Sequence, residues 1–134
     1  MTKAFTIASL SGFLILVVFD FLWLSNAVNF LYRPRIGHLL ADKPNMAAAI
    51  VFYLLYGIGM AVIVQRPAVA EGSVLTALWM GAFLGLIAYG TYDLTNQATL
   101  KDWSVVITVA DMIWGAFVTG VSCAAGLWIA QKLP

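Results

Sequence analysis

The sequence predicts an all-α integral membrane protein, a four-transmembrane-helix bundle in a single domain spanning residues 1–134. Two observations carry that expectation. Of the 134 residues 63% are hydrophobic and only 10% charged, and the mean hydropathy is +0.94, whereas about a quarter of an average soluble domain is charged. The apolar residues are also gathered into four stretches, each long enough to cross the roughly 20 helical residues' worth of hydrocarbon that a bilayer presents. Barrel strands would alternate strictly over about ten residues, and nothing here does. Without water in the bilayer core, helices are the remaining way to satisfy the backbone.

The expected helices cover 4–28, 46–65, 73–97 and 103–130. The first is broken only by Asp20, the second and third carry no charge over 46–64 and 73–92, and the fourth holds one acid, Asp111. Turn signals separate them: Pro34 and Pro44, then Gln65-Arg66-Pro67, then Lys101-Asp102. The apolar run after Lys3 is too long for a signal-peptide core of 7–15 residues and contains an aspartate, so it reads as a retained helix. The longest connection, 28–45, mixes Phe30, Leu31, Tyr32, Ile36, Leu39 and Leu40 with Arg33, Arg35, His38 and Lys43. It reads as a short amphipathic segment in the headgroup region, or as a plain juxtamembrane loop with snorkelling arginines. Counting crossings puts the 1–2 and 3–4 connections on one side, with Arg33, Arg35, Lys43 and Lys101. Lys3, Arg66 and Lys132 fall on the other. The slight excess places the first side in the cytoplasm.

Charge and cysteine usage exclude several functions. Seven basic against six acidic residues give a formal charge of +1, no field for nucleic acid. One cysteine, Cys123, and one histidine, His38, rule out a disulfide framework, bis-histidine haem within one chain and a Cys-rich metal site. No cofactor and no metal are expected, and no nucleophile–base pair or phosphate loop is present.

The informative residues are three aspartates. A charged side chain in the bilayer costs about 2.5–3.5 kcal/mol on the insertion scale. Asp20 near the end of the first helix, Asp93 near the end of the third and Asp111 near the start of the fourth all fall in one leaflet. Arg33, Arg35 and His38 lie in the connection above them. Helical spacing adds Ser9, Phe13, Leu16, Trp23 and Ala27 to the Asp20 stripe. It adds Ser104, Thr108, Gly115, Val118 and Ser122, with Trp114 beside them, to that of Asp111. On the third helix the stripe is Ala82, Leu86, Tyr89, Asp93, Asn96 and Gln97. The second helix offers Tyr53, Tyr56, Gly57 and Met60. Two or three carboxylates a few ångström apart in low dielectric cannot all be ionised. Arg33 or Arg35 folding down, Tyr89, Tyr92, Asn26 and Asn96 are the candidate partners. The alternative is that the aspartates are ties between helices, at about 0.6 kcal/mol per bond. Gly81 and Gly85 form a GxxxG read as a packing surface. Trp23, Trp103 and Trp128 read as interfacial anchors, and Trp79 and Trp114 as deeper core filling.

Several stretches around these acids share a family pattern: Asp20-Phe-Leu-Trp23-Leu24, Phe52-Tyr53-Leu-Leu-Tyr56-Gly57, the run from Ala88 through Tyr92-Asp93-Leu94-Thr95-Asn96 to Trp103, and Val109-Ala-Asp111-Met-Ile-Trp114-Gly115. In these the chain resembles the domain of unknown function 2177 family of small bacterial multi-pass membrane proteins. The resemblance covers almost the whole chain and implies a bacterial inner-membrane location, with no activity attached. The expected function is binding or translocation of a membrane-resident small molecule or lipid, coupled to protons. Its site would be Asp20, Asp93, Asp111, Trp23, Tyr89, Tyr92, Asn96 and Trp114. A lipid-modifying enzyme or enzyme subunit, and an assembly subunit bound to another membrane protein, are the alternatives. A homodimer is expected, because four short helices enclose little space alone.

Overall fold

The computed structural model describes residues 2–134. Four helices run Lys3–Leu39, Met46–Glu71, Val74–Thr99 and Val105–Lys132, each long and apolar enough to span a membrane, and no strand occurs among the described residues. Side-chain caps mark three helix starts, where the free backbone N–H groups need acceptors. Thr2 Oγ1 accepts from Phe5 N at 3.2 Å, Asn45 Oδ1 from Ala48 N at 3.2 Å and Ser73 Oγ from Thr76 N at 3.1 Å. Gly72, at φ 66°, closes the second helix in a left-handed conformation that only glycine adopts without penalty.

Two helices are longer than the turn signals imply, for one shared reason. Pro34 and Pro67 do not end them. Each proline follows a widened π turn, over Val28–Tyr32 and Met60–Gln65. There Arg33 N bonds back to Val28 O and Arg66 N to Ala61 O, five residues earlier rather than four. Proline lacks an N–H and its ring crowds the carbonyl four residues before it. An extra residue in the preceding turn removes the conflict and lets the helix continue. The carbonyl that Pro34 leaves unpaired, Phe30 O, is met by Arg35 Nη1 at 3.4 Å, and Leu31 O by the same nitrogen at 3.1 Å. The 1–2 connection is therefore helix as far as Leu39. It is amphipathic as expected, but its apolar residues Leu31 and Ile36 pack on Ala27 and Ile107 of the protein.

Small residues bring three of the helices into close contact. The fourth helix is the centre and is buried on both flanks. Against the third, a Cβ on Gly81 would stand 2.9 Å from Thr119 O and 3.0 Å from Gly120 Cα, and one on Gly85 would strike the Gly115 backbone. The GxxxG thus packs within the chain. Against the first, Gly126 meets the backbone of Ala8 and Gly12. This is the close backbone approach that substitutes for a hydrophobic driving force between helices in lipid. The inner stripe of the third helix follows these glycines, through Ala77, Gly81, Gly85 and Asp93. Leu86, expected on it, faces outward.

The second helix behaves differently along its length. Its latter part is anchored by buried Met60, Val64 and Gln65, whereas only Tyr56 is buried over Met46–Gly59. Gln65, expected at a surface turn, is wholly buried because the helix continues past it; its Nε2 donates to Cys123 O at 2.9 Å. Cys123 is buried packing. Trp79, expected in the core, is 56% exposed on the outer surface, since the glycines take the inner face. Crossing order is visible at both ends. Lys3 Nζ donates to Pro134 O and Gln131 Nε2 to Gly72 O at one end, and His38 approaches Asp102 at the other.

The glycine contacts predict a graded response in thermal unfolding of the detergent-solubilised protein. Gly85→Ala, which meets backbone, is expected to destabilise by about 1–3 kcal/mol. Gly59→Ala, whose Cβ meets nothing within 4 Å, is expected to be neutral or stabilising by up to about 1 kcal/mol.

Candidate ligand site

The end of the bundle opposite the termini is spaced by aromatic side chains rather than by glycine. Asp20, on the first helix and 4% exposed, accepts one hydrogen bond from each of the other three. Tyr53 Oη of the second helix donates to Oδ2. Tyr89 Oη of the third donates to Oδ1 at 3.3 Å, and Trp114 Nε1 of the fourth donates to the same oxygen at 2.9 Å. The Trp114 indole also stacks on Trp23, with centroids 4.6 Å apart and planes 11° from parallel. Tyr89 lies across Gly115, where a Cβ would fall in the phenol ring. Tyr56 completes the attachment of the second helix through a 2.7 Å bond between its hydroxyl and Thr119 Oγ1.

A second chain of bonds runs to Asp111. Trp23 Nε1 donates to Tyr32 Oη at 3.0 Å, and Tyr32 Oη donates to Asp111 Oδ1. Tyr32 reaches the acid because the π turn carries the first helix over the end of the fourth. Asp93, from the third helix, lies against the fourth one turn from Asp111, with its backbone oxygen 3.5 Å from Thr108 Oγ1. It is completely buried, and neither of its carboxylate oxygens has a donor. Buried polar groups are normally paired, and burying a carboxylate without a partner is among the costliest arrangements a protein makes. The three aspartates thus converge, but in unequal circumstances: Asp20 is fully bonded, Asp111 is bonded on one oxygen by Tyr32, and Asp93 has only another acid beside it.

Above these acids lies a cavity of about 520 Å³, within the 300–1,000 Å³ range of small-molecule sites. Leu24, Val28, Tyr32, Ile36 and Leu40 of the first helix and its extension form one wall and the roof. Phe52 and Tyr53 face them from the second helix, and Ala88, Tyr89 and Tyr92 from the third. Asp20, Trp23, Trp103 and Asp111 complete the lining. Leu24, Phe52 and Tyr92 are also exposed on the outer surface, so the cavity opens sideways between helices.

Of the expected site residues, Asp20, Asp111, Trp23, Tyr89 and Tyr92 line the cavity, while Trp114 sits behind Trp23 and Asp93 is buried outside the lining. Asn96 does not line it. The expected loop partners are elsewhere. Arg35 serves the helix carbonyls, the Arg33 side chain is exposed, and His38 Nε2 lies 3.4 Å from Asp102 Oδ2 at the exposed end of the bundle. An arginine in the extension cannot both cover the proline gap and reach down to the acids. Trp23 and Trp103, expected as interfacial anchors, both line the cavity, and Trp103 Nε1 donates to Thr108 Oγ1 at 3.0 Å. Trp128 does lie on the outside, with Lys132 Nζ 5.8 Å from its ring. Tyr32 and Tyr53, which bond Asp111 and Asp20, lie outside the site expected from the sequence. Tyr53 sits on the stripe of the second helix, so its helical spacing was the available signal.

A family model described as predicted membrane protein, DUF2177, matches residues 5–128. No curated protein and no solved structure matches the chain.

The unequal bonding of the acids predicts opposite effects of one chemical change. Asp20→Asn keeps a carbonyl oxygen for Tyr89 and Trp114 and leaves Tyr53 to turn its hydroxyl and accept from the new amide, a weaker replacement expected to lower stability by about 1 kcal/mol. Asp111→Asn keeps an oxygen for Tyr32 and offers Asp93 its missing donor. Thermal unfolding is expected to show no loss, or a gain of up to about 1 kcal/mol.

Proposed function

We propose, for a chain that belongs to the DUF2177 family of predicted membrane proteins, that it binds a membrane-resident amphiphile within one leaflet, in the cavity over Asp20 and Asp111. The observation that carries this reading is the cavity's composition. Its walls are apolar and aromatic, its only charged lining groups are Asp20 and Asp111, and its mouth is bordered by side chains on the lipid-facing surface. A molecule that enters from the bilayer can keep its apolar part among Leu24, Val28, Ile36 and Phe52 and carry its polar group down to the acids. Water-soluble ligands have no comparable route through apolar walls.

Binding in place, or exchange between membrane and site, accounts for the geometry better than passage across the bilayer within one chain. In the opposite half of the bundle, backbone contacts at Gly81, Gly85 and Gly126 close the seams that the fourth helix makes with the first and third, and the cavity there, lined by Thr2, Phe5, Val62, Arg66, Val69 and Ala70, shares no lining residue with the one over the acids. Catalysis is less well supported. Apart from the acids and tyrosines, the lining offers no nucleophile or imidazole. Asp20 has the character of a structural tie, which leaves Asp111 as the ligand-contacting acid. A second copy of the chain, which would extend the enclosure, remains part of this proposal.

Native mass spectrometry of the full chain purified in mild detergent tests the reading. Wild type is expected to retain a defined amphiphile mass, and Ala88→Phe, which fills the cavity without touching a carboxylate, is expected to lose it while still folded. Identical adduct-free spectra from both proteins would contradict the proposal and favour a purely structural role for the acids.

A further inference from the structure

The supply of donors and acceptors around the cavity is one-sided, and that asymmetry selects among amphiphiles. The hydroxyl hydrogens of Tyr53 and Tyr89 are committed to Asp20 and that of Tyr32 to Asp111, which leaves Tyr92 as the one lining hydroxyl not bound to an acid. The indole N–H groups of Trp114 and Trp103 are likewise taken. Unused lone pairs remain on the lining carboxylate of Asp111, which takes one donor, Tyr32, and behind the lining the completely buried Asp93 has no donor on either oxygen. A phosphate, carboxylate or carbonyl group entering here would find acceptors where it needs donors. No lysine, arginine or histidine lines the cavity, and the one ion pair among the described residues is the exposed His38–Asp102 contact.

Half of the lining residues are aromatic. Trp23 has one face stacked on Trp114 and still lines the cavity, and Tyr92 meets Trp103 edge to face, with centroids 5.7 Å apart. Aromatic faces around an acid are the surroundings that hold organic cations, which are attracted to the ring quadrupole and need no hydrogen-bond donor from the site.

We infer that the cavity takes a lipophilic organic cation, an ammonium or other onium centre on an apolar body, whose charge lies against Asp111 and supplies the counter-charge that the Asp93–Asp111 pair lacks. This rests on the cavity being a ligand site, as proposed above, and adds the chemical class of the ligand. In its absence a proton is the other available counter-charge, so cation and proton compete for the same pair. The groups facing that pair are Tyr32 and Asp20 from the first helix and Tyr92 from the third, with Tyr53 of the second bound to Asp20. None carries a positive charge, so the competition has one sign: the cation binds more tightly as pH rises.

The test uses two probes of the same shape and opposite charge, tetraphenylphosphonium and tetraphenylborate. Each is titrated into the full chain in a neutral maltoside detergent and followed by calorimetry and tryptophan fluorescence. Saturable binding of the phosphonium alone is expected, weakening from pH 8 to pH 6, and weakening by about tenfold or more in Asp111→Asn. If that variant fails to fold, the probe comparison and the pH series on wild type still decide. Equal binding of both probes, preference for the borate, or phosphonium binding indifferent to pH would overturn the assignment. If the phosphonium does not bind, yet wild type retains a neutral or anionic amphiphile that Ala88→Phe loses, the cation assignment fails and the cavity reading stands. Neither binding nor adduct would remove both.

Discussion

The Asp20 carboxylate is the point at which all four helices meet, and the open half of the bundle depends on it. An aspartate in hydrocarbon costs about 2.5–3.5 kcal/mol, and an average polar contact between membrane helices returns only about 0.6 kcal/mol. A single bond would leave Asp20 a net liability. Three bonds together offset most of that cost. Because the donors come from Tyr53, Tyr89 and Trp114, the offset is obtained only when every helix is in place. The acid therefore specifies the arrangement more than it stabilises it.

The same bonds account for the cavity. Where Gly81, Gly85, Gly120 and Gly126 face neighbouring backbones, the helices touch and nothing fits between them. Where tyrosines and tryptophans reach across to Asp20, the helices are held at the length of an aromatic side chain. The second helix shows both regimes, packed through Met60, Val64 and Gln65 at one end and attached mainly by Tyr53 and Tyr56 at the other. The π turn before Pro34 completes the enclosure by carrying the first helix over the gap, with Tyr32 pointing back to Asp111. Asp93 is the one acid for which the chain supplies no compensation of its own.

The four spans and the convergence of Asp20, Asp93 and Asp111 were legible in the sequence because they follow from segment length and crossing order alone. The inner stripes of the first and fourth helices were legible in large part: Leu16, Asp20 and Ala27, and Thr108, Asp111, Gly115, Val118 and Ser122, are buried, whereas Ser9, Phe13, Trp23 and Ser104 are half-buried at the stripes' margins. Prolines were the main source of error. Reading Pro34 and Pro67 as breaks hid the helical continuations, and with them the role of Tyr32 and the burial of Gln65. A widened turn has no local sequence signature, so only the backbone reveals it. Arg33 and Arg35 are the cations closest to the acids along the chain, but a carbonyl freed by proline lies nearer to Arg35. Family membership names the membrane setting and leaves the ligand to the site's chemistry.

The central claim is that Asp20 holds the cavity half of the second helix against the others. Spin labels at exposed Val51 on the second helix and exposed Val109 on the fourth, in protein reconstituted into lipid, would report this directly by pulsed electron–electron distance measurement. The account predicts a narrow distribution in the Asp20-containing protein, and a longer, broadened one in Asp20→Leu while the glycine-packed helices keep their spacing. An unchanged Val51–Val109 distribution in Asp20→Leu would contradict it, and would assign the position of the second helix to its Met60–Gln65 anchor alone.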